Sequence, residues 1–208
     1  MISETEEFIH RFVPAKEETK SLTLLLLHGT GGDENDLLPL GRRLAPDAAL
    51  LSPRGRVLEN GAPRFFRRLA EGVFDEADLK FRANELADFV GRAAGRYRFD
   101  KSHVVAIGYS NGANIASAMM LLRPRLLRGA ALFRPMRPFV PEQMPDLSGV
   151  PIFIAAGRFD PVISSEATED LVTLLRDAEA VVSAYSVAAG HNLTGDEMEQ
   201  ARAWLLSI

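Results

Sequence analysis

The stretch Val104-Val105-Ala106-Ile107-Gly108-Tyr109-Ser110-Asn111-Gly112-Ala113 decides how the rest of this chain is read. Residues 103–107 form a short apolar run, the pattern of a strand buried on both faces of a sheet. From Ala113 onward, Ile115, Met119 and Leu122 recur at helical spacing. Between strand and helix lies Gly108-x-Ser110-x-Gly112, the spelling of a nucleophile elbow in the context that such an elbow requires. The sharp turn strains the serine backbone, and side chains two residues before and after it would collide with the crowded bend. The new helix then aims its first N–H groups and its positive dipole end at Ser110.

A serine hydroxyl is a weak nucleophile and needs a base within hydrogen-bond reach. An elbow of this type implies the chain order serine, acid, histidine. Of the four histidines, His10, His28, His103 and His191, only His191 follows Ser110. It stands in Gly190-His191-Asn192, directly after the last apolar run. The acid must lie between the two, at the end of a strand. Asp160 does so, in the loop Gly157-Arg158-Phe159-Asp160-Pro161, and its expected task is to orient the imidazole and stabilise the imidazolium. A fourth requirement is an oxyanion hole, and His28-Gly29-Thr30-Gly31-Gly32 follows the first parallel strand, where its glycines let the backbone turn N–H groups toward a substrate oxygen. A phosphate loop is the wrong reading of those glycines. No Gly-Lys-Ser/Thr follows, and Glu34 stands where a third glycine belongs.

Further apolar runs at 22–27, 49–52, 129–133, 151–156 and 181–187 alternate with helical patterns. Leu86, Phe89, Val90, Ala93, Ala94 and Tyr97 mark one helix; Leu171, Leu174, Leu175 and Ala178 mark another. Met198, Ala201 and Leu205 mark the last, opened by the capping-box spelling Thr194-Gly195-Asp196-Glu197. This alternation predicts an α/β domain spanning 1–208, with a mostly parallel central sheet covered by helices on both faces. Residues 6–13 would add an antiparallel edge strand. The one long connection without periodicity, 53–79, is expected to be a substrate-binding insertion. Its clustered Phe65 and Phe66 are expected to supply apolar contact, with Arg64 or Arg67 reaching a carboxylate or phenolate.

Composition narrows the function classes. The 208 residues contain no cysteine, which removes disulfide scaffolds, zinc fingers, iron–sulfur clusters and any thiol nucleophile. Four histidines without a His-Glu-x-x-His spacing argue against a zinc hydrolase, though a two-histidine site completed by carboxylates stays open on count alone. A formal charge of −4 argues against nucleic-acid binding, and the arginines at 64, 67, 68, 123, 125 and 128 are diluted by neighbouring acids or confined to loops. No segment approaches the roughly 20 apolar residues that span a bilayer. The N-terminus places three glutamates before its first basic side chain, unlike a secretory signal, so a cytoplasmic location is expected. A small-molecule ester as partner and no cofactor or metal complete these expectations; a homodimer is left open.

The motifs together resemble the phospholipase/carboxylesterase family of α/β-hydrolases, the small serine esterases that include the acyl-protein thioesterases. The residues that carry the likeness are 27–32, 108–113, 157–161 and Gly190-His191. Ser52-Pro53-Arg54-Gly55 and the run 60–68 are closer still to a bacterial branch, the MhqD-like hydrolases linked to hydroquinone resistance. The resemblance implies Ser110 as nucleophile, Asp160 as acid, His191 as base, and the Thr30 and Asn111 amides as oxyanion hole. Thr30 stands where thioesterase-like members tend to carry leucine, which puts a preference for long acyl chains in doubt. Asn192 replaces a frequent glutamine. The activity so implied is carboxylic ester hydrolysis through an acyl-serine, on small or aromatic compounds. Alternatives are a thioesterase or lysophospholipase for longer chains, a non-catalytic binding module, and cofactor-free oxidative or carbon–carbon bond chemistry on the same triad.

Overall fold

The computed structural model describes residues 7–17 and 22–208. In chain order the elements are β1 (His10–Val13), β2 (Thr23–Leu27), α1 (Leu38–Leu44), β3 (Ala49–Pro53), β4 (Val57–Glu59), β5 (Ala62–Arg64), β6 (Arg68–Ala70), β7 (Val73–Phe74), α2 (Glu76–Tyr97), β8 (Val104–Tyr109), α3 (Asn111–Leu122), β9 (Gly129–Phe133), β10 (Pro151–Gly157), α4 (Ser165–Asp177), β11 (Val181–Val187) and α5 (Gly195–Leu206). Among the described residues, seven strands form one sheet in the order β1-β3-β2-β8-β9-β10-β11. Every pairing in it is parallel except β1 with β3, where His10 faces Pro53. The expected antiparallel edge strand is therefore present but shorter, and its first expected residue, Glu6, lies outside the described residues.

Alternation along each central strand builds two cores. Leu25, Leu27, Ala106, Leu132 and Ile154 turn to one face, packed with residues of α2, α3 and α4. Leu24, Leu26, Val105, Ala131, Phe133 and Phe153 turn to the other, packed with residues of α1 and α5. Because both faces are covered, these strands read as unbroken apolar runs rather than as alternating ones. Each fully buried leucine contributes roughly 1.5–3 kcal/mol.

Two features were not anticipated. Helix α1 is short, opens with a proline in its first turn and lacks a side-chain cap, so no periodic signal announces it. The connection 53–79 is not irregular: it folds into two antiparallel hairpins, β4–β5 and β6–β7, and delivers the first turn of α2. The Asp75 side chain caps that helix by accepting from the Asp78 amide.

The chain leaves β2 toward β3 on one side and returns to β8 on the other. Strand order thus reverses between β2 and β8, which opens a crevice at the carboxyl ends of the strands.

Candidate active site

Loops leaving β2, β8, β10 and β11 meet above that crevice. Ser110 stands between β8 and α3 with φ +52°, outside the helical conformation. Its amide donates to Phe133 O at 2.8 Å, tying the elbow to the end of β9. The flanking glycines are required by contact. A Cβ at Gly108 would lie 2.6 Å from Gly112 O, and one at Gly112 would lie 1.9 Å from Leu27 O. The elbow packs backbone to backbone against the end of β2.

Ser110 Oγ lies 3.0 Å from His191 Nε2, and His191 Nδ1 lies 2.8 Å from Asp160 Oδ2. A carboxylate accepts only, so Nδ1 carries the proton and Nε2 presents its lone pair to the hydroxyl. The other carboxylate oxygen of Asp160 accepts from the Val162 and Ile163 amides at 2.8 and 3.1 Å. The Asp160 side chain is 1% exposed and that of His191 22%. Residues 31 and 81 positions apart along the chain thus share one hydrogen-bonded chain.

The glycine loop after β2 is held from two sides. Gly31 N donates to Pro63 O and Gly32 N to Gly29 O, while Thr30 and Asn111 line the cavity beside Ser110. His28 is buried behind the loop: Nδ1 donates to Gly29 O at 2.6 Å, and Nε2 accepts from the Gly55 amide at 2.9 Å. Burial pushes the His28 pKa below its ordinary value, the bond to Gly29 O and nearby carboxylates opposing only in part. A neutral imidazole is what the Gly55 bond requires.

A cavity of about 250 Å³ opens over Ser110 and His191. Phe74, Met136, Val162 and Ile163 form its apolar wall; Thr30, Arg64 and Arg68 stand on its polar side. Arg64 is 3% exposed and reaches Thr30 Oγ1 at 3.0 Å and Glu59 Oε2 at 3.1 Å. Burial lowers its pKa while Glu59 opposes that, and a guanidinium remains charged.

Three of the four expected pocket residues go elsewhere. Phe65 packs against His28 and Phe66 against Phe74, with ring centroids 4.7 and 4.9 Å apart, and both are buried. Arg67 points outward and pairs with Asp75 at 3.0 Å and Asp78 at 3.7 Å. Residues 65–67 lie between β5 and β6 rather than in either hairpin strand: Arg64, last in β5, lines the cavity, while the aromatic pair of the link plugs the interior. The apolar wall is supplied instead by Phe74, Met136, Val162 and Ile163, none singled out by the sequence reading. Arg134 was also overlooked. It is fully buried and bonds both neighbours of His191. A charged residue at the exit of the apolar run 129–133 was the available signal.

Comparison with known proteins agrees with this fold. The phospholipase/carboxylesterase family pattern matches residues 9–207. The chain is 53% identical over 186 residues to MhqD of Bacillus subtilis (strain 168), named as a hydrolase, covering 89% of this chain and 93% of that one. A carboxylesterase from Bacillus cereus superposes with a TM-score of 0.92 at 50% identity, covering 95% of this chain and 93% of its own. A carboxylesterase from Mesorhizobium loti superposes with a TM-score of 0.90 at 36% identity, over 97% and 95% of the two chains. With an α/β-hydrolase sheet, a glycine-flanked serine at its switch point and these relatives, the chain belongs to the phospholipase/carboxylesterase family.

Proposed function

We propose that this hydrolase is a serine carboxylesterase acting on esters of small or aromatic compounds. One observation carries the reading: the chain Ser110 Oγ, His191 Nε2, His191 Nδ1, Asp160 Oδ2, at 3.0 and 2.8 Å, on the floor of the cavity. Ser110 attacks the ester carbonyl carbon as His191 Nε2 takes its proton. The Asn111 amide, first in α3 and so without an intrahelical acceptor, and the Thr30 amide receive the oxyanion. Donors of this kind contribute about 3–4 kcal/mol each to the transition state. Collapse of the tetrahedral species breaks the bond to the alcohol oxygen, which takes the proton from His191. Water then attacks the acyl-serine with the same base and releases the acid. The intact hydrogen-bonded chain favours catalysis over a non-catalytic binding role.

The expected partner is a small-molecule ester. A cavity of about 250 Å³ lies just below the usual range of ligand pockets, about 300 Å³ upward, which supports short acyl groups. A second reading, hydrolysis of longer acyl chains, draws on one feature: a groove of about 310 Å³ shares Gly72, Phe74 and Met136 with the cavity.

Ser110→Ala should lower hydrolysis of short p-nitrophenyl esters by about 10⁴-fold or more and abolish labelling by a fluorophosphonate. Undiminished hydrolysis would sink the assignment. A panel of acyl lengths decides between the readings, because rates that rise beyond about eight carbons favour the extended groove.

A further inference from the structure

We infer that Arg134 is a positioning residue of this site: it holds the main chain on both sides of His191 and, itself engaged by Glu197, leaves Asp160 Oδ2 to that histidine. The inference rests on the roles proposed for Ser110, His191 and Asp160. Arg134 touches no part of the cavity. It lies one residue past β9, is 1% exposed, and stands at φ +55°, a left-handed conformation that disfavours any side chain. Such strain persists only where the surroundings hold it.

The guanidinium meets the segment that carries the base. Nε donates to Gly190 O at 2.9 Å and Nη2 to Asn192 O at 2.8 Å. The carbonyl between them, that of His191, accepts from Tyr109 OH at 3.1 Å. Three successive carbonyls of a non-helical, non-strand segment are thus held by side chains. The planar fork of arginine reaches two of them at once, which a single ammonium does not. Room is kept for this arrangement, since a Cβ at Gly157 would lie 2.4 Å from Gly190 O and 3.1 Å from Arg134 Nε.

The charges fit the same role. Arg134 Nη1 and Nη2 reach the two Glu197 oxygens at 2.6 and 3.1 Å, and both side chains are fully buried. Nε also lies 3.8 Å from Asp160 Oδ2. Glu197 thus engages both terminal nitrogens of the guanidinium, and Asp160 Oδ2 is left to His191 Nδ1 at 2.8 Å. Glu197 is further anchored as the third helical residue of α5, where its carboxylate accepts from the Thr194 amide.

The experiment compares Arg134→Met/Glu197→Gln with the parent, because removing both charges leaves neither member of the Arg134–Glu197 pair without its partner. The expected result is a melting temperature near that of the parent. With p-nitrophenyl acetate, kcat should fall about ten- to a hundredfold at a KM within about twofold, since a small misplacement of the base affects turnover rather than binding. Arg134→Lys keeps the charge opposite Glu197 but lacks the fork, and should show the same split between kcat and KM. It decides the matter should the double variant not fold. Arg134→Lys at parental kcat overturns the inference, as does a folded double variant whose loss lies in KM alone. Ser110→Ala separates the two levels. An active Ser110→Ala overturns the proposed function itself; an inactive one beside a fully active Arg134→Lys overturns only the role of Arg134.

Discussion

Single residues carry constraints here that no substitution matrix expresses. Gly112 is required less for its own backbone angles than for what it touches, because Leu27 O occupies the space of a side chain. Gly112→Ala should therefore cost about 1–3 kcal/mol of stability through forced backbone shifts, read as a lower denaturant midpoint. It should also displace Ser110 and depress turnover in the fraction that folds; a parental midpoint would refute the close packing of elbow on strand. The likeness of Thr30 and Asn111 to oxyanion donors rests on their amides, so their side chains were free to take other work. Thr30 Oγ1 engages Arg64, and Asn111 Oδ1 accepts from the Phe65 amide at 2.8 Å. These bonds tie the hairpin β4–β5 to both arms of the proposed oxyanion hole.

Elements reveal where periodicity arguments end. The buried strands and the long helices were legible because many residues repeat one pattern. The boundaries of β9 and β11 agree with the apolar runs at 129–133 and 181–187. The insertion was not legible, since a three-residue strand offers too few positions for a period to show. Two adjacent phenylalanines beside two arginines look like a binding surface in sequence. In the link between the two hairpins they divide, Phe65 and Phe66 inward and Arg67 outward. The consequence is measurable. Phe66→Ala should cost about 3–5 kcal/mol of stability, seen in thermal or chemical unfolding. It should not selectively raise KM for aromatic esters over acetates, and a stable variant with a selective KM change would restore the surface reading.

At the scale of the whole molecule, folding is linked to pH through the histidine sealed behind the β2 loop. His28 has its pKa lowered from 6.5 in the folded state, and the unfolded chain has no reason to share that shift. Below about pH 6.5 the unfolded state therefore binds a proton that the folded state refuses, and stability falls as pH falls. The stabilisation is complete above the unfolded value and is lost progressively down to the folded one. Unfolding free energies measured between pH 7.5 and 5.5, on the order of one titration step to either side, should slope more steeply for the parent than for His28→Gln. Equal slopes would mean that His28 titrates alike in both states. The same loop contributes Thr30 to the cavity, so its rigidity is coupled to the site.

By itself the sequence determined the class of fold, the elbow around Ser110 and the order in which Asp160 and His191 follow it. These are local patterns: apolar runs, helical spacing, and glycines at a bend. Only the tertiary structure decided which faces of the hairpins turn inward and which side chains wall the cavity. It alone brought Arg134 and Glu197, 63 positions apart, to the segment that carries His191. Such a pair has no local signature, because a buried charge is compensated by whatever the fold brings beside it, and chain order says nothing about that neighbour.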